Sequence, residues 1–257
     1  MLDRILFRVY CASGSVLDQS SNNTVRYNTF EDCGGLVSFR FGDINIAEGN
    51  FFICHHVNGC GGVRMRGSHH KVINNYIDGA AHGGIILISD EIGNQNLIAF
   101  NTLYSCDTCI QIGTRSSKYT LSDNIFSNNV VEGHSSHSQL VWSGSENNSL
   151  FEGNVMHNGQ ITNHRYSSSI FSNLHLVKND LGLYVPAPGS PAVKTASGSY
   201  SHVVHDDILG RARMKQPTDI GAVLSDESTA EHAHRKPLHR GDVGPTWAPD
   251  DSHLNGH

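Results

Sequence analysis

Hydrophobic residues in the first 180 positions come in short runs rather than in long stripes. Thr24-Val25-Arg26-Tyr27, Val63-Arg64-Met65, Lys71-Val72-Ile73, Ile85-Ile86-Leu87-Ile88 and Asn96-Leu97-Ile98-Ala99-Phe100 are rich in residues of high strand propensity. Gly, Asn, Asp or Ser bounds each run, which is the punctuation of strands. No segment up to Asp180 carries a long amphipathic helical period, so a helical repeat is excluded.

The runs recur. Six asparagines followed by apolar or Thr residues mark the repeat: Asn28, Asn50, Asn75, Asn101, Asn124 and Asn154, at intervals of 22, 25, 26, 23 and 30 residues. A period of that size is the signature of a solenoid. About 25 residues suit three short strands and three turns, with coils about 4.8 Å apart. Asn suits a fixed turn because it tolerates left-handed backbone angles, and stacked amides hydrogen-bond from coil to coil. These asparagines argue the fold and not the chemistry. The expected class is an all-β parallel β-helix with an irregular C-terminal extension. Sites on such a solenoid use side chains of successive coils projecting from one face.

All seven prolines lie at or after Pro186, which puts a boundary near residue 183. The expected division is residues 1–18 as an aberrant lead, 19–182 as the β-helix and 183–257 as an extension and tail. From Ser225 the chain is polar and His-rich, and reads as a tail laid along the helix through Trp247. A net charge of −6 argues against a nucleic-acid partner. No apolar run approaches the length of a membrane span, and no clean signal peptide is visible. Of the six cysteines, Cys106 and Cys109 have metal-site spacing without a second pair, so a buried or turn role is expected. Cysteine usage leaves the redox compartment open.

Larger motifs carry a resemblance. They are Ser20-Ser-Asn-Asn-Thr-Val-Arg-Tyr-Asn-Thr-Phe30, Phe39-Arg-Phe-Gly42, Glu48-Gly-Asn-Phe-Phe52, and Gly61-Gly-Val-Arg-Met-Arg-Gly67 leading to Asn74-Asn-Tyr76. In order and spacing, residues 19 to about 160 resemble polysaccharide lyase family 6, the alginate lyase and chondroitinase B family. The stretch from Pro237 to Trp247 resembles the tail of such proteins. The resemblance implies a right-handed parallel β-helix, export to the periplasm or beyond, and β-elimination on a uronate polysaccharide, alginate ahead of dermatan sulfate. In most family members Ca²⁺ on acidic ligands neutralises the sugar carboxylate. A lysine of lowered pKa removes the C5 proton, and an arginine on the next coil steadies developing charge.

The carry-over is uneven. Arg40 matches the family arginine, while Phe41 replaces the histidine after it. Gln19 stands where the lysine belongs and cannot act as a base. Gly14 and Ala12 stand where the acidic metal ligands belong, so calcium is not expected on this chain. Loss of a positioned base costs about 10²–10⁴ in rate. Arg64 and Arg66 lie at period two on the next coil and share a face, suited to bidentate contacts with sugar carboxylates. Arg40 has a plain alternative as a strand residue paired with Asp43; Arg64 and Arg66 have one as solvated charge. Phe41 and His82 are further candidate substrate contacts, with turn roles the alternative for His70 and His82.

The resemblance places the family's site near the start of this chain, so an N-terminally truncated form is expected. Gly14-Ser-Val-Leu-Asp-Gln19 can be encoded so that a one-base shift reads Glu-Ala-Phe-Ser-Ile-Lys, an acid five residues before a lysine. Residues 1 to about 19 are therefore expected to be a frame-shifted lead. Two functions remain open: an impaired uronate-polysaccharide lyase, or a non-catalytic β-helix binding anionic glycans, alginate or a glycosaminoglycan. Neither the Asp-Pro-His of alginate epimerases nor the paired aspartates of polygalacturonases appears before residue 183.

Overall fold

The computed structural model describes residues 1–8, 16–90, 92–113, 118–143, 146–161, 169–200, 202–213, 217–225 and 234–242. It is an all-β parallel solenoid. On the first face, Leu2–Asp3, Thr24–Arg26, Ile46–Glu48, Lys71–Ile73, Leu97–Ala99, Ile125–Ser127 and Leu150–Glu152 stack in chain order into a seven-stranded sheet. The second face begins with Leu6–Arg8, Thr29–Glu31, Phe51–Ile53 and Tyr76–Asp78. The third begins with Val16–Asp18, Val37–Phe39, Gly61–Met65 and Gly83–Leu87. Strands in residues 2–8 and 16–18 thus pair in register with the next coil. Among the described residues, no helix is long and apolar enough to cross a membrane.

Three strands per coil holds for the earlier coils only. Thr102–Ile112 and Val130–Trp142 run continuously across the second and third faces. In an earlier coil these faces are separated by the loop from Cys54 to Cys60, which a disulfide closes with a Cα–Cα distance of 5.6 Å. Where Cys106 and Cys109 lie, the corner becomes a bulge with register shifts after Tyr104 and after Cys106. Both of their side chains are buried, in keeping with a structural role.

Alternation within each strand sends one set of side chains inward. Phe7, Phe30 and Phe52 stack along the axis with centroids 4.6 and 4.7 Å apart, one ring per coil. Val37, Val63 and Ile85 form a parallel column, and Phe39, Met65 and Leu87 another. Each such side chain contributes roughly 1.5–3 kcal/mol of burial.

Two ladders run along the corners that flank the first face. In one, Asn28 donates its backbone N–H to Asn50 Oδ1, Asn50 to Asn75, Asn75 to Asn101, Asn101 to Asn129 and Asn129 to Asn154, at 3.0–3.1 Å. The fifth rung is Asn129, not Asn124. The coil intervals there are 28 and 25, which removes the uneven 23 and 30 of the sequence pattern. Asn124 belongs to the second ladder, which runs Asn23, Asn45, His70, Asn96, Asn124 and Ser149. Nor is the ladder asparagine itself left-handed. The residue before it is: Tyr27, Gly49, Asn74, Phe100, Asn128 and Gly153 at one corner, Asn22, Ile44, His69, Gln95, Asp123 and Asn148 at the other. The turn residue bends the chain and the next side chain ties the bend to the neighbouring coil.

The extension covers outward-facing Phe51 and Tyr76 with Leu183, Val185, Ile208, Leu209, Ala222 and Val223. Its Asp207-to-Arg213 stretch holds buried ions. Asp207 Oδ2 accepts from Arg211 Nε at 2.8 Å and from the backbone of Leu224 at 3.1 Å. Arg213, its pKa pushed down to about 10 by burial, donates to the carbonyls of Asp219 and Gly221 and to Asn74 Oδ1. The tail does lie along the helix, through Arg235 over the Tyr27 ring at 4.3 Å and the Leu238 N–H on Thr29 Oγ1 at 2.8 Å. Trp247 lies outside the described residues.

Asn75→Ala strips acceptors from Asn50 and donors from Ala47 and Ile73 carbonyls in a dry corner. A loss of about 2–5 kcal/mol is expected in chemical denaturation. Ile44, half exposed at 52%, is a β-branched residue at φ 64°. Ile44→Asn is expected to stabilise the fold by about 1 kcal/mol in the same assay.

Candidate functional site

The third face carries the candidate residues. Ser38, Arg64 and Ile86 pair in register, with Val37, Phe39, Val63, Met65, Ile85 and Leu87 turned into the core on either side. Arg64 therefore points outward. One residue past each strand, the backbone still follows the ladder. Arg40 donates its N–H to the Asp18 carbonyl, Arg66 to Phe39 and Ile88 to Met65, all at 2.9 Å. Because Asp18 pairs with Phe39, the exposed Gln19 stands beside Arg40 on the preceding coil. Gln19, Arg40, Arg66 and Ile88 thus form a rank across four successive coils.

The arginines are electrically coupled. Burial, then Arg66 and Arg40, lower the pKa of Arg64, with Asp90 opposing the shift. Asp90 pairs with Arg66 at 3.0 Å. Asp43, by contrast, accepts the Ser68 N–H at 2.7 Å, and among the described residues no ion pair joins it to Arg40. Exposed Arg40 lies 5.9 Å over the ring of exposed Phe41. The face therefore gathers three guanidiniums on a chain of net charge −6.

His82 is not part of this group. Its N–H reaches the Cys60 carbonyl at 2.8 Å, at the start of the strand whose Ile86 pairs with Arg64. Four residues of extended chain put it roughly 13 Å away along the strand. Gly14 and Ala12 lie outside the described residues. The described donors of this face do not fit a calcium ion, which takes six to eight oxygens. Asp18 Oδ1 accepts from the Ser20 N–H, Ser20 Oγ and Asn23 Nδ2 at 3.0–3.2 Å, and Asp90 is held by Arg66.

His70, buried behind this face, links it to the second ladder. Its Nδ1 accepts the Asn45 N–H at 3.0 Å, which leaves Nε2 to donate to the Arg66 carbonyl at 2.6 Å. Its role is thus that of a turn and ladder residue. Sequence reading passed over Asp90, although it follows Arg66 by 24 residues, one coil length.

Residues 6–86 match the Chondroitinase B family. No curated protein matches the sequence. The PL6 family alginate lyase AlyGC superposes with a TM-score of 0.66 at 19% identity, covering 91% of this chain and 29% of its own. The alginate lyase AlyF-OU02, solved in complex with G6, gives 0.55 at 18% identity, covering 66% of this chain and 44% of its own. At such identities the structures testify to shared fold. The protein is a parallel β-helix whose fold is that of these lyases. The match at residues 6–86 and the shared fold make this chain similar to those lyases, and it spans under a third of the length of AlyGC.

Burial lowers the pKa of His70, so the unfolded chain takes its proton first as pH falls. Stability from His70 is therefore complete above the unfolded value of about 6.5 and declines below it. His70→Asn keeps a ladder rung without a titrating group. A thermal melt series is expected to show a shallower acid decline for the variant than for the parent.

Proposed function

We propose that this chain is a uronate-polysaccharide lyase module that retains its carboxylate-binding face and lacks the base for elimination. The observation that carries this reading is the coupled trio Arg40, Arg64 and Arg66 with Gln19 in the rank beside Arg40. Guanidiniums match carboxylates in bidentate geometry, and a repeating polyuronate offers one carboxylate per sugar. Alginate is the favoured polymer, in line with the similar alginate lyases. The Cys54–Cys60 disulfide agrees with an oxidising, exported setting.

Roles within the trio differ. Asp90 neutralises Arg66, which leaves Arg40 and Arg64 as the stronger carboxylate hosts. Gln19 offers an amide that can hydrogen-bond a sugar hydroxyl but cannot accept the C5 proton. No step is assigned to calcium. Non-catalytic glycan binding is the second reading, and Gln19 is what favours it.

Alginate oligosaccharides are expected to bind saturably and more weakly at high salt, without ultraviolet-absorbing unsaturated product. Arg40→Ala or Arg64→Ala removes a charge-assisted contact of about 1.5–3 kcal/mol, roughly a ten- to hundredfold rise in Kd. Arg66→Ala has a smaller effect. Unchanged calorimetric affinity in all three variants rules out this face. Turnover gained by Gln19→Lys with Gly14→Glu and added Ca²⁺ supports the lyase reading over the binding one; turnover by the unaltered chain refutes the missing base.

A further inference from the structure

A cavity lies on a different face from the arginines, between the first sheet and the extension, with a volume of about 420 Å³. That falls within the range of small-molecule sites, about 300–1,000 Å³. Gln95 and Asp123 line one side as equivalent left-handed corner residues of successive coils, at φ 57° and 54°. Leu97 and Ile125, two residues further on, pair in the sheet and give an apolar floor. His202 and Tyr200 from the extension form the opposite wall. Tyr200 is fixed there by its hydroxyl on Glu152 and by an edge contact with Phe100 at 6.4 Å.

The polar groups are available. Asp123 Oδ1 accepts from Asn148 Nδ2 at 2.6 Å, and no hydrogen bond among the described residues engages Oδ2. Among the described residues, neither the Gln95 amide nor the exposed His202 imidazole makes a side-chain hydrogen bond. A carboxylate, an amide and an imidazole offer mixed donors and acceptors above an apolar floor. Among the described residues, no lysine or arginine lines the cavity.

We propose that this cavity binds a neutral sugar ring, its hydroxyls on Gln95, Asp123 and His202 and its C–H face on Leu97 and Ile125. A uronate is disfavoured because its carboxylate would face Asp123 with no lysine or arginine among the described lining residues. The proposal rests on this cavity alone and stands whether or not the arginine face binds a polyuronate.

The test is an amide-resolved NMR titration of the full chain with cellobiose and with mannobiose, and with glucuronate as the charged probe. Saturable shifts centred on residues 95–97, 123–125 and 202–203 are expected with at least one disaccharide, and none with glucuronate. Gln95→Gly, which suits the left-handed corner, and the exposed His202→Ala are each expected to weaken binding about tenfold, while Arg40→Ala leaves it unchanged. Absence of saturation with both disaccharides, equal affinity in both variants, or equal binding of glucuronate overturns the proposal.

Discussion

Everything in this molecule hangs on a side-chain amide that serves two coils at once. At each ladder corner a left-handed residue bends the chain, a conformation costing roughly 1–3 kcal/mol when a side chain is present. The bend also leaves backbone groups facing the dry interior. The following asparagine answers both problems. Asn101, for example, takes the Asn75 N–H on its Oδ1 and donates Nδ2 to the Val72 carbonyl and to Asn129. Because every rung is partner to the next, one coil's bend is held by its neighbours.

The same device sets the candidate face. A corner held in register fixes where each strand begins, and the strand's alternation then decides which residues project. Arg64 faces out because Val63 and Met65 are committed to the core. Arg66 is held more tightly still, since His70 is at once a ladder rung and the donor to its carbonyl. Histidine at a position where other coils use asparagine trades an amide for a ring that spans two backbone groups and stacks on Phe39 at 5.4 Å. Fold and site therefore share a residue, and the rigidity of one is passed to the other.

Much of this was legible in the chain. The short runs located strands to within a residue or two, and the repeat of about 25 fixed the architecture. What misled was chemical degeneracy: Asn124 and Asn129 lie five residues apart in one coil and serve different ladders. Local sequence cannot tell the two corners apart, because both use the same amide after the same left-handed turn. The merging of faces at Cys106 was equally hidden, since a bulge depends on the neighbouring coil rather than on its own residues. The loop disulfide between Cys54 and Cys60 and the Arg66–Asp90 pair join residues that no local motif connects. That Arg64 and Arg66 share a face is legible because period two survives in the sequence, whereas the separation of His82 from them depends on register.

Under the proposed function, the rank Gln19, Arg40, Arg66, Ile88 bears on how carboxylate binding can stand apart from proton abstraction. A lysine beside Arg40 would feel a like charge on the adjoining coil, and like charge lowers an ammonium pKa, which is what a base near neutral pH requires. The arginine therefore has two possible duties in such a rank, one toward substrate and one toward its neighbour. Glutamine at position 19 cancels the second and leaves the first. It also adds no charge to a cluster in which burial, then Arg66 and Arg40, lower the pKa of Arg64. On the proposed reading, binding and elimination are separable for that reason: a proton acceptor can be absent from the rank without disturbing the register that presents the cations.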